Sequence, residues 1–581
     1  MKEFFKMFGA VLAGLCVWGI ISSIASMFLF MVFFSSLTSI SKKDTTVNVE
    51  KHSILKLDLS KPIADRSSTN YSKIYDTWSF DNLDVTGLDD IQKALSAAMF
   101  DDKIEALYVN LSECLIPDFA TAQEIRNMLV TFQETGKPVY AFADNYDNMS
   151  YYVATGCEKI FMQKCGDLVL KGLCSQSIYY KGALDKFGIN AYVIRHGKFK
   201  SAVEPFMQEK MSEANRLQIK TYLNDIWKVV VEEISHSREI EPEQIEKYAD
   251  ELSLYSDEKL CQTSGLIDSI CFETDFNTIL QEAVGQDINS EMNTISISDY
   301  CSILESGSGK NNIAIIYASG EITSDESSSE DVITSKTMLK AIKEAMDDDN
   351  IKAVVLRVNS PGGSATEAEI IHNALLKLKE RKPLVVSMGG YAASGGYYIS
   401  APADKIFAEP TTITGSIGVF GLILSPEQLL TKTLGLNIET VSTNKHSSFG
   451  ENSFSFDSYE LSVLQKSVEN VYSLFIEHVA NGRNMTVSEV DSIGQGRVWT
   501  GVAAKQIGLV DELGGLDEAL NAAAELSDLK SIKIKQLPQK EDEFSKLFSG
   551  LLEIKSSETK ILNKIKRHNG VQCYLPPSKI Y

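Results

Sequence analysis

Residues 348–358 read DDNIKAVVLRV, and residues 101–111, which lie 247 positions earlier, read DDKIEALYVNL. The relationship recurs along the chain, where residues 396–408 (GYYISAPADKIFA) resemble residues 150–162 (SYYVATGCEKIFM) at an offset of 246. Self-similarity at a fixed period is the signature of a duplicated unit. The sequence therefore predicts two tandem copies of one domain of roughly 240 residues. Length alone, at 581 residues, suggests three or four domains, or a few large ones.

Apolar strand-like runs alternate with helical stretches in each copy. In the second copy the runs KAVVLRV, PLVVSMG and KIFAE alternate with SKTMLKAIKEAM and ATEAEIIHNALLKLKE. This alternation is typical of a mostly parallel sheet covered by helices. The predicted fold class is therefore α/β.

A polar, Gly- and Ser-rich segment at residues 305–312 (ESGSGKNN) separates the two copies. We expect the first copy over residues 41–305, the second over residues 306–537, and a tail over residues 538–581. Apolar residues recur at helical spacing in the tail and predict one apolar helix face, for packing or for oligomer contact: Phe544, Leu547, Phe548, Leu551 and Leu552.

Residues 7–34 form a run of 28 residues without a charged side chain. About 20 apolar residues in a helix span a bilayer, and the run exceeds the ~7–15 residues of a signal-peptide core. We predict a single-pass anchor that crosses the membrane with residues 8–35, so that residues 1–40 form the cytoplasmic end and the transmembrane helix. Lys2 and Lys6 favour a cytoplasmic N-terminus and an extracytoplasmic remainder. A cleaved signal peptide is the alternative.

The composition excludes several classes of function. A formal charge of −22 makes the chain a poor binder of the phosphate backbone, so no nucleic-acid partner is expected. With 7 histidines and 9 scattered cysteines without a CxxC motif, no metal site and no cofactor are predicted. Cys157 with Cys165, or Cys261 with Cys271, could form disulfides in an oxidising compartment, and free thiols are the equal alternative.

Two features of the second copy carry chemistry. Pro361, Gly362 and Gly363 lie between a strand and a helix, where bare backbone N–H groups can hold a developing oxyanion. Ser394 lies in SMGGYAASGGYYIS at another strand-to-helix corner, where its Oγ would be exposed as a nucleophile and its own N–H could join the oxyanion site. The plainer alternatives are an ordinary turn and a serine that caps a helix.

The first copy has lost both features and carries a lysine instead. Leu115 stands where Gly362 would be, and Asn148 stands at the position of Ser394. At the offset of 247, Lys200 corresponds to Ser447 of the second copy. Lys200 is the last residue of GKFK at residues 197–200, directly before SAVEPF. A lysine can take the proton of a serine when burial lowers its pKa from ~10.4 toward neutrality. Lys198 is the rival, because strand alternation would point it the same way as Lys200, and a surface lysine is the plain alternative.

These motifs resemble a known family. SMGGYAASGGYYISAPADKI, TTITGSIGVFG at residues 411–421, and GKFKSAVEPF resemble the long, tandem form of the signal peptide peptidase A (protease IV) family. The resemblance implies a ClpP/crotonase-like fold for each copy, Ser394 as nucleophile and Lys200 as general base. It also implies a homotetramer in the bacterial inner membrane that cleaves remnant signal peptides on the extracytoplasmic side.

Other residues of the site follow from position only. We expect the backbone N–H of Gly363 as an oxyanion donor, Gly395 as a second donor, and Ser416 as a residue that orients Lys200 or lines the substrate groove. The predicted reaction is hydrolysis of extended, apolar peptides by a Ser/Lys dyad.

Three other functions are weighed against this prediction. An acyl-CoA hydratase or isomerase of the same fold would need neither Ser394 nor Lys200. A Ser-His-Asp protease would use His372 or His446, neither of which has a distinctive sequence context. A non-catalytic, membrane-anchored scaffold would have no reason to retain the serine in one copy and the lysine in the other.

Overall fold

The computed structural model describes residues 18, 49–67, 85–304, 310–324, 332–451, 455–539 and 571–574. Strands and helices alternate through both copies, as predicted. The strands are β1 (Ser53–Asp58), β2 (Ile63–Ala64), β3 (Thr86–Gly87), β4 (Ile104–Asn110), β5 (Val139–Ala143), β6 (Lys159–Gln163), β7 (Asn190–His196), β8 (Ser269–Cys271), β9 (Thr294–Ser296), β10 (Ile313–Ser319), β11 (Glu321–Ile322), β12 (Val332–Ile333), β13 (Ala353–Ser360), β14 (Gly362–Ser364), β15 (Leu384–Ala393), β16 (Lys405–Ala408), β17 (Ile413–Gly415), β18 (Val419–Ser425), β19 (Val498–Thr500), β20 (Glu512–Leu513), β21 (Ile534–Leu537) and β22 (Val571–Tyr574).

The helices cover the faces of these strands. They are α1 (Leu88–Ala98), α2 (Phe119–Gln133), α3 (Asn148–Ala154), α4 (Lys181–Phe187), α5 (Glu204–Met207), α6 (Glu213–Arg238), α7 (Pro242–Glu251), α8 (Glu258–Thr263), α9 (Glu273–Ala283), α10 (Ile297–Ile303), α11 (Ser335–Asp347), α12 (Ala365–Lys379), α13 (Gly395–Ser400), α14 (Ser458–Arg483), α15 (Val487–Ile493), α16 (Gly501–Gln506) and α17 (Leu516–Leu526). A 3₁₀ turn at Ser201–Val203 and a π-helical turn at Leu429–Thr433 complete the described elements.

The first copy forms a six-stranded sheet in the order β8-β6-β5-β4-β1-β9. All of its described pairs are parallel. Its strands are buried on both faces, as the continuous apolar run of β5 shows. Parallel strands need crossover helices, which is why the sequence alternates as it does.

The second copy repeats this arrangement, with β21, β10, β13, β15, β17 and β19 in order and β16 and β20 branching from β15. Every pair is parallel except β17 with β19. Helices α11, α12 and α14 bury their apolar sides against one face of this sheet. The α/β class and the tandem repeat are therefore confirmed.

A third sheet, which the sequence did not predict, connects the two copies. Its order is β12-β11-β14-β22-β18-β7. Strand β7 of the first copy pairs antiparallel with β18 of the second copy over their whole length, from Val419 opposite His196 to Ser425 opposite Asn190. This pairing carries the segment after β7 to the carboxyl ends of the second sheet.

Some predictions fall on parts of the chain outside the described residues. The anchor over residues 8–35 lies outside them except for Trp18, as do the helix face over residues 544–552 and most of the linker at residues 305–309. Within the described ranges, no helix is both long and apolar enough to cross a bilayer. Cys157, Cys165, Cys261 and Cys271 are free thiols, so neither of the considered disulfides is formed.

Candidate active site

Ser394 lies at the corner between β15 and α13. Its backbone has φ 57° and ψ −113°, a combination that is sterically costly for a residue with a side chain. The Ser394 N–H donates to the Gly415 carbonyl at 2.8 Å, which continues the parallel pairing of β15 with β17. The expectation that this N–H would join an oxyanion site is therefore wrong: the parallel neighbour β17 already uses it. The turn places Oγ at the carboxyl edge of the sheet, but Ser394 is fully buried, so the expectation of an exposed hydroxyl is wrong for this structure.

Lys200 reaches this corner from the first copy. Its Nζ hydrogen-bonds Ser394 Oγ at 2.6 Å, and only 1% of the residue is exposed. The segment that carries it is fixed by two hydrogen bonds, from Arg195 Nη1 to the Lys200 carbonyl at 3.1 Å and from the Phe199 N–H to the Gln495 carbonyl at 3.0 Å. The structure thus brings together two predicted residues that are 194 positions apart.

Gly496 makes room for the lysine, and sequence reasoning missed it. A Cβ on Gly496 would lie 2.6 Å from the Cβ of Lys200, closer than real Cβ atoms approach. The φ of Gly496 is also positive, at 78°. The two glycines of GQGR at residues 494–497 are visible in the sequence. Their role could not be interpreted without knowing that Lys200 packs against Gly496.

Lys198 points away from the site. It is exposed, and its Nζ lies 5.1 Å from the centroid of the Phe199 ring. The expectation that Lys198 and Lys200 would point the same way is wrong because β7 ends at His196 and Gly197 turns the chain with φ 93°. Strand alternation holds only while the chain stays extended.

Ser416 lies beside Lys200 and is fully buried. Both its hydroxyl and its carbonyl accept hydrogen bonds from Lys200 Nζ, each at 3.1 Å. Its own N–H donates to the Arg497 carbonyl at 2.7 Å. The residue follows β17 directly, so the carboxyl ends of neighbouring strands β15 and β17 supply both second-copy partners of the lysine.

The two glycines predicted as oxyanion donors lie in different settings. Gly363 is in β14, opposite Ile322 of β11 and Cys573 of β22. Its φ is 153°, and a Cβ there would lie 2.0 Å from the Ile322 carbonyl oxygen. Gly395 is the first residue of α13, where a helix leaves backbone N–H groups without intrahelical acceptors.

The positions that correspond to Ser394, Gly362 and Lys200 in the opposite copy do not form a second site. Asn148 donates from Nδ2 to the Gly172 carbonyl at 2.8 Å and accepts at Oδ1 from the Lys171 N–H at 3.0 Å. Leu115 is 45% exposed. Ser447, which corresponds to Lys200, is exposed in a loop.

The candidate histidines make contacts elsewhere. His446 pairs with Glu460 through Nδ1 at 2.9 Å. His372 is buried against the rings of His478 and Tyr398. Lys200 occupies the place beside Ser394 that a triad histidine would need.

A buried charged cluster holds the two copies together behind the site. Arg357 of β13 contacts Asp65 at 2.8 Å and Glu124 at 2.6 Å, both from the first copy, and donates from Nη1 to Ser387 of β15 at 2.9 Å. Burial raises the pKa of Glu124 to about 7, and the positive charge of Arg357 opposes that rise. Burial likewise raises the pKa of Asp118. The strand that presents Ser394 is thus fixed from the first copy.

Comparisons with known proteins agree with this architecture. The family model for Peptidase family S49 matches residues 131–287 and 376–530, and the model for Clp protease matches residues 310–413. The chain is 36% identical over 490 residues to "Protease 4" of Salmonella typhi, covering 82% of this chain and 78% of that protein.

Two further relatives differ in length and origin. "Serine protease SPPA, chloroplastic" of Arabidopsis thaliana is 28% identical over 514 residues, 87% of this chain and 74% of that protein. "Putative signal peptide peptidase SppA" of Enterococcus faecium is 35% identical over 223 residues, 38% of this chain and 64% of that protein. The duplicated family match and the relatives of similar length favour a protease over an acyl-CoA enzyme or a scaffold. The chain therefore belongs to peptidase family S49 and is a serine protease with two tandem copies of the family domain.

Proposed function

We propose that the chain is a membrane-anchored endopeptidase that degrades cleaved signal peptides and similar apolar peptides, with Ser394 as nucleophile and Lys200 as general base. The observation that carries this proposal is the 2.6 Å contact between Lys200 Nζ and Ser394 Oγ in a buried site. The general base then belongs to a first domain, residues 41–305, and the nucleophile to a second, residues 306–537.

In the acylation step, Ser394 Oγ attacks the scissile carbonyl carbon and its proton passes to the unprotonated Lys200 amine. Burial favours the uncharged amine, because an ammonium group loses its hydration there. Lys200 then gives this proton to the leaving amine as the C–N bond breaks. In deacylation, Lys200 takes a proton from the attacking water, and the ester bond breaks with the proton returning to Ser394 Oγ.

The oxyanion formed in both steps needs backbone donors. We assign this role to the N–H groups of Gly363 and Gly395. Gly395 supports the assignment because it is adjacent to the nucleophile and begins a helix. Gly363 supports it because it belongs to the strand that follows β13, whose carboxyl end lies beside β15. Such donors act at the atom where charge develops in the transition state.

The substrate binds as an extended strand between β14 and β18. Support comes from β22, a segment of the chain itself, which pairs antiparallel with both strands: Gly363 lies opposite Cys573, and Phe420 lies opposite Gln572. Addition of a strand to open sheet edges gives main-chain affinity for peptides of many sequences. A degradative peptidase needs such tolerance.

The substrate class and the location rest on sequence. One relative carries the printed name of a signal peptide peptidase, and the uncharged run over residues 8–35 is long enough for one membrane span. The proposal places the catalytic domains on the extracytoplasmic side of a bacterial inner membrane, in a homotetramer.

Turnover of a fluorogenic apolar peptide tests the dyad. Ser394→Ala and Lys200→Ala should each lower kcat/KM by about 10⁴-fold or more, and a serine-directed acylating probe should label the wild type at Ser394. Lys198→Ala is the matched control, because Lys198 is exposed two residues away. Full activity of Lys200→Ala, or loss of activity in Lys198→Ala alone, would contradict the assignment of the base.

A further inference from the structure

Two of the seven histidines meet beside Tyr398, a residue of α13. His372 of α12 and His478 of α14 have ring centroids 4.0 Å apart. Glu369 lies one helical turn before His372, and its Oε2 is 2.9 Å from His478 Nε2. One potential ligand atom from each of these residues lies within 4.8 Å of the other two. The catalytic mechanism uses none of the three.

His372 is the unusual member of this group. The residue is 2% exposed, and its Nδ1 is buried without a hydrogen-bond partner among the described residues. A buried polar atom without a partner costs free energy, and each such case in a native structure calls for a missing ligand or another explanation. The atom lies in a side chain that packs directly against a second imidazole and close to a carboxylate.

From these contacts we infer that Glu369, His372 and His478 form a binding site for one divalent transition-metal ion, with Zn²⁺ the ion that fits best. Two imidazoles and one carboxylate are a ligand set that zinc uses, with a water in the fourth position. Glu-x-x-His on one helix places both ligands on the same face. Imidazole ligands select zinc over magnesium or calcium, which prefer oxygen.

The geometry needs only a small contraction. Zinc bonds of ~2.0–2.1 Å place tetrahedral ligand atoms about 3.3 Å apart, so atoms up to 4.8 Å apart must close by about 1.5 Å. The Glu369 side chain is 38% exposed and the His478 side chain 16%, so the ion can enter from solvent and the carboxylate can move.

Tyr398 provides the outer support that metal sites require. Its hydroxyl donates to Glu369 Oε2 at 2.6 Å, and its ring lies edge-on to both imidazoles. Tyr398 belongs to α13, the helix that begins directly after Ser394. A bound ion would therefore join α12, α13 and α14 behind the nucleophile.

A second group of potential ligands serves as the internal comparison. His446, Asp457 and Glu460 also lie within reach of one another. However, Asp457 and Glu460 already form the capping box at the start of α14, and the group contains only one histidine. It lacks a buried nitrogen without a partner.

Zinc titration of the full chain, freed of metal with a chelator, tests the site by calorimetry. We expect one Zn²⁺ per chain. Glu369→Gln and His478→Gln should weaken binding by more than about 100-fold, and Tyr398→Phe by about 10- to 100-fold, the usual range for an outer partner. His446→Gln should bind as the wild type does. Co²⁺ should give the absorption bands of a tetrahedral site in the wild type and lose them in His478→Gln.

Glu369→Gln changes a partly exposed side chain, so its result does not depend on a buried substitution that could disturb folding. Three outcomes would overturn the proposal: no stoichiometric Zn²⁺ binding by the wild type, wild-type affinity in both Glu369→Gln and His478→Gln, or loss of the bound ion in His446→Gln instead.

Discussion

Arg357 Nη2 lies 2.6 Å from Glu124 Oε1, and both side chains are at least 96% buried at the boundary between the two copies. The same guanidinium contacts Asp65 at 2.8 Å. Since Lys200 comes from one copy and Ser394 from the other, the contact that we propose as catalytic exists only while the copies stay docked. A buried ion pair is a costly way to build such a contact, and it makes the boundary sensitive to loss of one partner.

Replacement of Arg357 by Leu should therefore destabilise the fold by about 3–5 kcal/mol, because the carboxyl groups of Asp65 and Glu124 would remain buried without the guanidinium that contacts them. Denaturant unfolding followed by tryptophan fluorescence measures the change. Arg381→Leu is the matched control: its side chain is 61% exposed and 3.8 Å from Asp347, so its loss should cost less than about 1 kcal/mol. Equal losses of unfolding free energy in the two variants would show that the buried contacts of Arg357 stabilise the fold no more than an exposed ion pair does.

The pH dependence of stability should carry the signature of Glu124. Burial raises its folded pKa to about 7, from 4.5. Between these values the folded state holds a proton that the unfolded state has lost, so the free energy of unfolding should fall as pH rises from about 4.5 to about 7. The total fall in unfolding free energy from this group is limited to about 3 kcal/mol, at 1.36 kcal/mol per pKa unit.

Thermal unfolding at several pH values between 4.5 and 8 measures this effect in the wild type and in Glu124→Gln. The variant cannot titrate at this position, so the difference between the two proteins should change across the window. A constant difference would mean that Glu124 does not exchange a proton there.

Gly363 should not tolerate a side chain. A Cβ would lie 2.0 Å from the Ile322 carbonyl oxygen, so Gly363→Ala must displace β14 and with it the proposed oxyanion donor. We expect kcat to fall by about 10²–10³-fold, the loss found when one oxyanion donor is removed. Gly182→Ala is the control, since a Cβ there meets nothing within 4 Å and alanine favours its helix. Unchanged kcat in Gly363→Ala would exclude this donor.

The alternation of strand-like and helical runs made the α/β class predictable from sequence, and the duplication revealed that the serine and the lysine lie in different copies. Comparison of the two repeats reveals the residues that only one copy has. These are the glycines after β13, the serine after β15 and the lysine after β7. The complementary loss in the two copies suggested a serine with a lysine partner but left Lys198 open, and the resemblance carried by GKFKSAVEPF and SMGGYAASGGYYIS selected Lys200 and Ser394.

Features that depend on contacts between distant parts of the chain could not be predicted from the sequence. The direction of Lys200 depends on where β7 ends and on the space left by Gly496. The use of the Ser394 N–H by Gly415 depends on the register of β15 with β17. In the buried cluster, Arg357 lies 233 positions along the chain from Glu124 and 292 positions from Asp65. The sequence around these residues does not indicate their partners.

Ser416 should act by positioning Lys200. Its hydroxyl and carbonyl both accept from Nζ, so Ser416→Ala removes one of two contacts and leaves the other. We expect kcat to fall by about 10- to 100-fold with KM little changed, because misplacement of a catalytic group costs rate. Ser416→Thr, which keeps the hydroxyl, should recover part of the lost rate. An increase in KM alone would instead assign Ser416 to the substrate groove.

The chain's own strand β22 should compete with substrate. It pairs with β14 and β18 in the gap where we propose that peptides bind, so a substrate must displace it. When only a fraction of the molecules has an open groove, the apparent affinity falls by that fraction. Deletion of residues 571–581 should therefore lower KM for a fluorogenic peptide and leave kcat unchanged. A synthetic peptide of residues 571–574 added to the shortened chain should raise KM again, since it can refill the gap. If the deletion leaves KM unchanged and the added peptide does not inhibit, β22 does not occupy the substrate groove in solution. A loss of kcat would instead mean that β22 holds β14, and therefore Gly363, in its active position.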